Sequence, residues 1–215
     1  MRDEETGSWW QQVSGKAIHG PLRGQQLKSV FHDEVSFAIW KGEQPEGRVL
    51  RPDEKIVARN EYEKPDWEAR YEKLRVVEGT DVDKRLAPRT LVIGITLNGK
   101  SVAYPLPALQ KQSPIIDMVG AVPIVVALGE DNRSVRAFER KVDGRTLEFF
   151  EKKDDKNAQF QLIDAETGST WNFEGKATSG SLAGRQLKKV FVLEDYWFDW
   201  RIYHPDTAVY QLGPQ

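Results

Sequence analysis

The histidines, carboxylates and tryptophans are the side chains through which this sequence could do chemistry. His19, His32 and His204 are its only histidines, and none stands at a metal-ligand spacing from another. A structural or surface role is the expectation for each. Asp164 with Glu166, and Asp3 with Glu5, place two acids close enough in sequence to suggest an acid–base pair. Both pairs straddle a strand-to-turn junction, where the side chains need not converge and turn acids serve local hydrogen bonds. Asp117 lies among apolar residues and precedes Val119-Gly120. A buried Asp must be paired or hydrogen-bonded, so it reads as a latch for a loop or as part of a site. The candidate binding residues are Trp9, Gln11, Tyr104, Asp117 and His204, and no catalytic or metal-ligating residue is assigned.

The residues that are missing exclude more than those present suggest. With no cysteine, the chain has no disulfide, zinc-thiolate site, iron–sulfur cluster or thiol nucleophile. Its glycines are isolated turn markers and build no phosphate cradle, and no Gly-x-Ser-x-Gly elbow occurs. No cofactor is implied. A net charge of −2 gives no pull toward nucleic acid or acidic membranes. Met1-Arg2-Asp3-Glu4-Glu5 is not a signal peptide, and no apolar run approaches a membrane span. The chain reads as soluble, and an extracytoplasmic location would require a signal peptide ahead of Met1.

The elements that must position these residues are dominated by a repeat. Glu5-Thr6-Gly7-Ser8-Trp9-Trp10 matches Glu166-Thr167-Gly168-Ser169-Thr170-Trp171, and Gly15–Phe31 matches Gly175–Phe191 without a gap. The register continues to Phe37, Trp40 and Pro45 against Trp197, Trp200 and Pro205. Such self-similarity marks a duplicated supersecondary unit. Ser179 replaces His19 and Val192 replaces His32, so the repeat does not need those histidines. Trp10, Trp40, Trp171 and Trp200 are matched between copies, as core positions would be. Trp9, opposite Thr170, is then the surface aromatic, and exposed Trp would suit a carbohydrate ligand.

Glu-Thr-Gly-Ser is a turn between alternating strands, with Phe160 and Leu162 before it and Trp171 and Phe173 after it in the second copy. A strand is expected at Leu27–Phe31 and at Leu187–Phe191. Trp197 with Trp200, and Phe37 with Trp40, are three apart on one face of a short helix that a proline closes. Leu91–Leu97 and Ser101–Leu106 flank Asn98-Gly99, a strong hairpin signal. Pro123–Leu128 is an apolar strand, and Val135–Arg140 and Arg145–Phe150 flank a second turn at Asp143-Gly144. Trp67, Tyr71 and Leu74 are spaced i, i+4, i+7 within Pro65–Leu74, an amphipathic helix with Asp66 and Arg70 paired on its outer side.

Both copies resemble the DUF3179 family, a bacterial domain of unknown function. The resemblance lies in Glu-Thr-Gly-Ser-x-Trp, in Gly-x-Ala-x-x-Gly-x-Leu-x-Gly and in the closing Trp…Pro segment. The hairpin ending Ala103-Tyr104-Pro105, Asp117 and Val142-Asp143-Gly144 also resemble it. Members often carry Cys-x-x-Cys, some with selenocysteine, after the strand matching Pro123–Leu128, which would imply thiol redox or metal chemistry. Here that place reads Ala127-Leu128-Gly129-Glu130-Asp131-Asn132.

The fold expected is mainly β with short helices, a tandem duplication of a hairpin-built partial barrel or sandwich. Residues 1–51 are the C-terminal half of a first copy, 52–85 a connector with the amphipathic helix, and 86–215 a complete second copy. The expected function is a non-catalytic binding or structural module, the C-terminal part of a longer bacterial protein. The alternatives are the scaffold half of a thiol-redox or metal-binding protein whose Cys-x-x-Cys copy lies upstream, and a carbohydrate-binding module using exposed Trp. Expected partners are a second chain, through strand-edge pairing of 1–51, or an upstream part of the same polypeptide. Nucleic acid and a membrane span are not expected.

Overall fold

A computed structural model of the chain describes residues 1–12, 14–28, 30–59, 64, 66–71, 73, 74, 76, 83–152 and 160–213. The chain divides into two compact units, Met1–Asp33 and Glu34–Gln215. Among the described residues it is mainly β, its sheets are open, and no helix is long and apolar enough to cross a membrane.

In the first unit β1 (Trp9–Trp10) pairs antiparallel with β2 (Ala17–His19), with a bulge between Trp9 and Trp10. The turn ahead of β1 is held by one carboxylate. Asp3 accepts hydrogen bonds from the Thr6 amide at 2.6 Å, the Thr6 hydroxyl at 2.8 Å and Trp10 Nε1 at 2.8 Å. The Ser8 hydroxyl accepts from the Leu22 amide at 3.1 Å. Gly20, at φ +96°, faces Ser8 so closely that a β-carbon there would lie 2.7 Å from the Ser8 Cα. Only glycine fits both that backbone conformation and that approach.

The second unit opens with three short helices, α1 (Phe37–Glu43), α2 (Glu54–Ala58) and α3 (Trp67–Tyr71). Ser36 caps α1 and Asp53 caps α2, each accepting a hydrogen bond from a first-turn amide. The expected connector helix appears as α3, with Asp66 and Arg70 paired at 3.4 Å. Pro65 and Glu72 of that expectation lie outside the described residues.

Next come β3 (Leu91–Leu97), β4 (Lys100–Pro105), α4 (Leu106–Leu109), β5 (Ile115–Val119), β6 (Val122–Leu128) and β7 (Val135–Glu139). A small hairpin, β8 (Lys141–Val142) with β9 (Arg145–Thr146), leads to β10 (Phe149–Glu151). The chain closes with β11 (Leu162–Asp164), β12 (Thr170–Trp171), β13 (Ala177–Ser179), β14 (Lys189–Val190), β15 (Leu193–Tyr196), α5 (Trp197–Tyr203) and β16 (Ala208–Val209). They form three four-stranded sheets, ordered β15-β3-β4-β16, β14-β7-β6-β5 and β10-β11-β12-β13.

The middle sheet explains the packing. Along β6, Ile124, Val126 and Leu128 point into one core with Ile93, Ile95 and Tyr104 of the first sheet. Val125 and Ala127 point the other way, into a core with Phe149, Leu162 and Trp171 of the third. Burial on both faces is why β6 is continuously apolar rather than alternating. On the outer face of the first sheet, Trp197 and Trp200 of α5 cover Val92 and Ala103. Gly94 leaves room for Trp200, since a β-carbon there would lie 2.2 Å from the indole.

The Asn98-Gly99 hairpin is present as expected, with both residues at positive φ. The Asp143-Gly144 turn joins only β8 and β9, because β7 pairs instead with β6 and β14. Lys189–Val190 is a strand within Leu187–Phe191, but no described residue of Leu27–Phe31 is in one. Trp10, Trp171 and Trp200 are buried as expected of core positions, whereas Trp40 is half-buried. Its helix turns Ile39 into the core instead, and Trp40 stacks on the exposed Phe37 at 5.6 Å.

Candidate functional site

The loop between β6 and β7 and helix α1 meet around two charged side chains. Arg136 points from the middle of β7 and is almost fully buried. Its guanidinium grips Glu43, at the C-terminal end of α1, with two nitrogens, one of them at 2.8 Å. Its flat face lies 4.7 Å over the Phe173 ring. In the loop, Asp131 accepts from the Ser134 amide at 2.8 Å, the Arg133 amide at 3.1 Å and the Ser134 hydroxyl. The Ser134 hydroxyl in turn accepts from the Ser36 amide at 2.8 Å, just ahead of α1. Burial pushes the Asp131 carboxyl up, but these hydrogen bonds, with one from the Ser36 side chain, outweigh it and hold it below its ordinary range. Beside the pair lies a cleft of about 290 Å³ lined by Glu43, Glu130, Phe160, Asn172 and Phe173.

A second cleft, about 510 Å³, is lined by Glu34, Trp67, Tyr71, Arg89, Asp195 and Tyr196 among others. The Arg89 guanidinium lies 4.8 Å from the Tyr71 ring, 5.5 Å from Phe198 and 5.6 Å from Tyr196, a cation among π faces. It donates twice to the Leu74 carbonyl, at 2.8 and 3.2 Å, while its Nη1 is buried without a hydrogen-bond partner among the described residues. Burial, then the charges of Asp199 and Glu34, pushes Asp195 up to about 6.

The sequence-predicted residues fall in separate places. Tyr104 is fully buried on β4 and donates to Asp117 Oδ2 at 2.8 Å, while the Met118 amide donates to Asp117 Oδ1 at 2.7 Å. Burial, then the Asp117 carboxylate, raises the Tyr104 hydroxyl well above its ordinary value. This pair joins the first two sheets as a latch and meets Tyr210, whose ring lies 5.5 Å from Tyr104. His204, at the end of α5, stacks on Trp200 at 3.7 Å, and its Nδ1 lies 3.2 Å from the Ser101 hydroxyl. Burial lowers its pKa, favouring the neutral ring. It lines a third cleft of about 540 Å³ with Thr96, Ser101, Met118, Tyr203 and Asp206. Trp9 is half exposed, and Gln11 accepts from the nearby Ser14 hydroxyl, both within the first unit.

The structure therefore joins Tyr104 to Asp117 and leaves His204 apart from them, on the α5 side of the first sheet. Arg136, Glu43, Arg89 and Asp195 were not signalled by spacing. The one available clue was a lone Arg in the apolar run Val135-Arg136-Ala137-Phe138, where a charge has to find a partner. Among the described residues no group of three or more His, Asp and Glu side chains could hold a metal ion.

No curated protein and no solved structure matches the chain. A family model described as a protein of unknown function, DUF3179, matches residues 1–207, and the chain belongs to that family.

Proposed function

We propose that the chain is a non-catalytic binding or structural module, the second half of one domain copy followed by a complete copy, in which the complete copy seats the helix that ends the first. The observation that carries this is the use made of the β6–β7 loop. The family resemblance puts Cys-x-x-Cys there, whereas here Asp131 and Ser134 spend their hydrogen bonds on closing the loop and holding the Ser36 amide. Arg136 and Glu43 fasten the other end of α1, and Ile39 fills the core between them.

The duplication is supported by two turns built alike. Asp164 accepts from the Thr167 amide at 2.7 Å, the Thr167 hydroxyl at 2.8 Å and Trp171 Nε1 at 2.9 Å, and Ser169 accepts from the Leu182 amide at 3.1 Å. Asp3, Thr6, Trp10, Ser8 and Leu22 make the same bonds in the first unit.

Limited proteolysis of the full chain tests the seat. Ser134→Ala combined with Glu43→Ala should release residues 34–59 to rapid cleavage while 86–213 survives. Equal cleavage of 34–59 in the variant and the unaltered chain would contradict it.

A further inference from the structure

The cleft beside His204 plays no part in holding α1. It measures about 540 Å³, and its whole lining lies in the second unit among described residues. That volume is within the roughly 300–1,000 Å³ typical of ligand pockets. The β3–β4 hairpin brings Thr96, Lys100 and Ser101 to it, and the end of α5 brings Tyr203, His204 and Asp206. Thr96 and Ser101 are cross-strand neighbours whose hydroxyls lie 2.8 Å apart, and the Ser101 hydroxyl lies 3.2 Å from His204 Nδ1. The imidazole is fixed in place. It stacks on Trp200 at 3.7 Å, and its residue donates to the Trp200 carbonyl and accepts from the Thr207 amide, both at 3.0 Å. Among the described residues its Nε2 has no hydrogen-bond partner.

The chemistry of this row selects its ligand. A hydroxyl both donates and accepts, and a neutral imidazole does one at each nitrogen. The row therefore matches ligand groups that also do both, as hydroxyls do. A carboxylate only accepts and an ammonium only donates. Lys100 and Asp206 add charges of opposite sign, so the lining carries no net charge to favour an ion. Apolar surface stands beside the polar row, with Tyr203 38% exposed and Met118 61%. An exposed aromatic ring offers a flat apolar face to one side of a sugar. The lining holds no tryptophan; Trp200 is buried and supports the imidazole.

We propose that this cleft binds a neutral sugar ring, with Ser101 and His204 hydrogen-bonded to its hydroxyls and Tyr203 stacked on its C–H face. This gives the proposed module a ligand class and rests on the binding half of that reading. It needs neither the duplication nor the seating of α1.

Proton NMR of the full chain tests it with methyl β-glucopyranoside, methyl β-galactopyranoside and methyl N-acetyl-β-glucosaminide, each titrated to about 10 mM. The chain has three histidines, and His204→Gln assigns the His204 ring signals by their loss. At least one neutral sugar should shift those signals saturably. Glucuronate and glucosamine, which add a charge to the same ring, should shift them no more than methyl β-glucopyranoside does. Ser101→Ala and Tyr203→Ala should each weaken binding about fivefold or more. Tyr203 ends α5 and is partly exposed, so replacing it removes the stacking face without opening the core. No shift with any neutral sugar would overturn the proposal, as would a larger response to either charged ring. Unchanged affinity in either variant would overturn it too, because the sugar would then sit elsewhere. Failure of the proposed function has a different signature. Methanol released from a bound glycoside in the same tube would contradict a non-catalytic module while leaving the site in place.

Discussion

Arg136 on β7 and Glu43 on α1 form a two-pronged ion pair although 93 residues separate them in the chain. The Arg136 side chain is 5% exposed and Glu43 19%, so neither partner is well hydrated if the other is lost. Removing one partner of such a pair leaves a buried charge uncompensated, which costs more than the pair itself contributes. Glu43→Ala should therefore lower stability by on the order of 3 kcal/mol in urea unfolding. The double change Arg136→Met with Glu43→Leu should recover most of that loss. A Glu43→Ala protein as stable as the unaltered chain would mean that the pair does not hold α1.

Asp3 gives the first unit an acid-sensitive turn. The hydrogen bond from Trp10, then that from the Thr6 amide, lowers its carboxyl from 3.8 to about 2. A depressed carboxylate stabilises the folded state above its unfolded value, and that contribution disappears as pH falls through the folded one. The indole signal of Trp10 should thus report loosening of the turn between about pH 4 and pH 2. Asp3→Asn should remove that pH dependence.

Asp195 carries the opposite sign in the second unit. Burial, then Asp199 and Glu34, raises its folded value to about 6. The folded state then holds a proton that the unfolded chain releases, so stability is greatest below the unfolded value, falls as pH rises through about 6 and levels off above it. Melting temperature measured across pH 4 to 7 should show this decline, and Asp195→Asn should flatten it.

The β5–β6 hairpin turns through Gly120 and Ala121, and Ala121 sits at φ +64°, where its methyl group is unfavourable. Ala121→Gly should stabilise the protein by about 0.5–1 kcal/mol in urea unfolding. A loss of stability would show that the methyl group contributes more by packing than it costs in backbone strain.

Much of the fold is legible in the residues because local chemistry dictates it. Asn98-Gly99 fixes its hairpin by positive φ, and Trp197 and Trp200 share the one helix face that must be buried. The β5–β6 hairpin is not legible, since an alanine in the left-handed region carries no turn signature. Strands β15 and β16 escape notice because each exists only through its neighbours β3 and β4. The strand expected at Leu27–Phe31 is absent among the described residues there, although the same pattern of residues forms β14 beside β7 in the second unit. Of the candidate residues, Tyr104 and Asp117 do meet, because the buried Tyr104 hydroxyl has to find an acceptor and the half-buried Asp117 supplies it. The Arg136–Glu43 and Arg89–Tyr71 contacts stay hidden, because a single charge in a strand says nothing about which distant segment answers it.

The most direct test of the account is native-state hydrogen exchange at α1 in the unaltered chain. If the complete copy seats this helix, the amides of Ile39 to Glu43 will be protected, and Ser134→Ala with Glu43→Ala will speed their exchange while leaving β6 unchanged. Exchange of those amides at the rate of an unfolded peptide in the unaltered protein would contradict it.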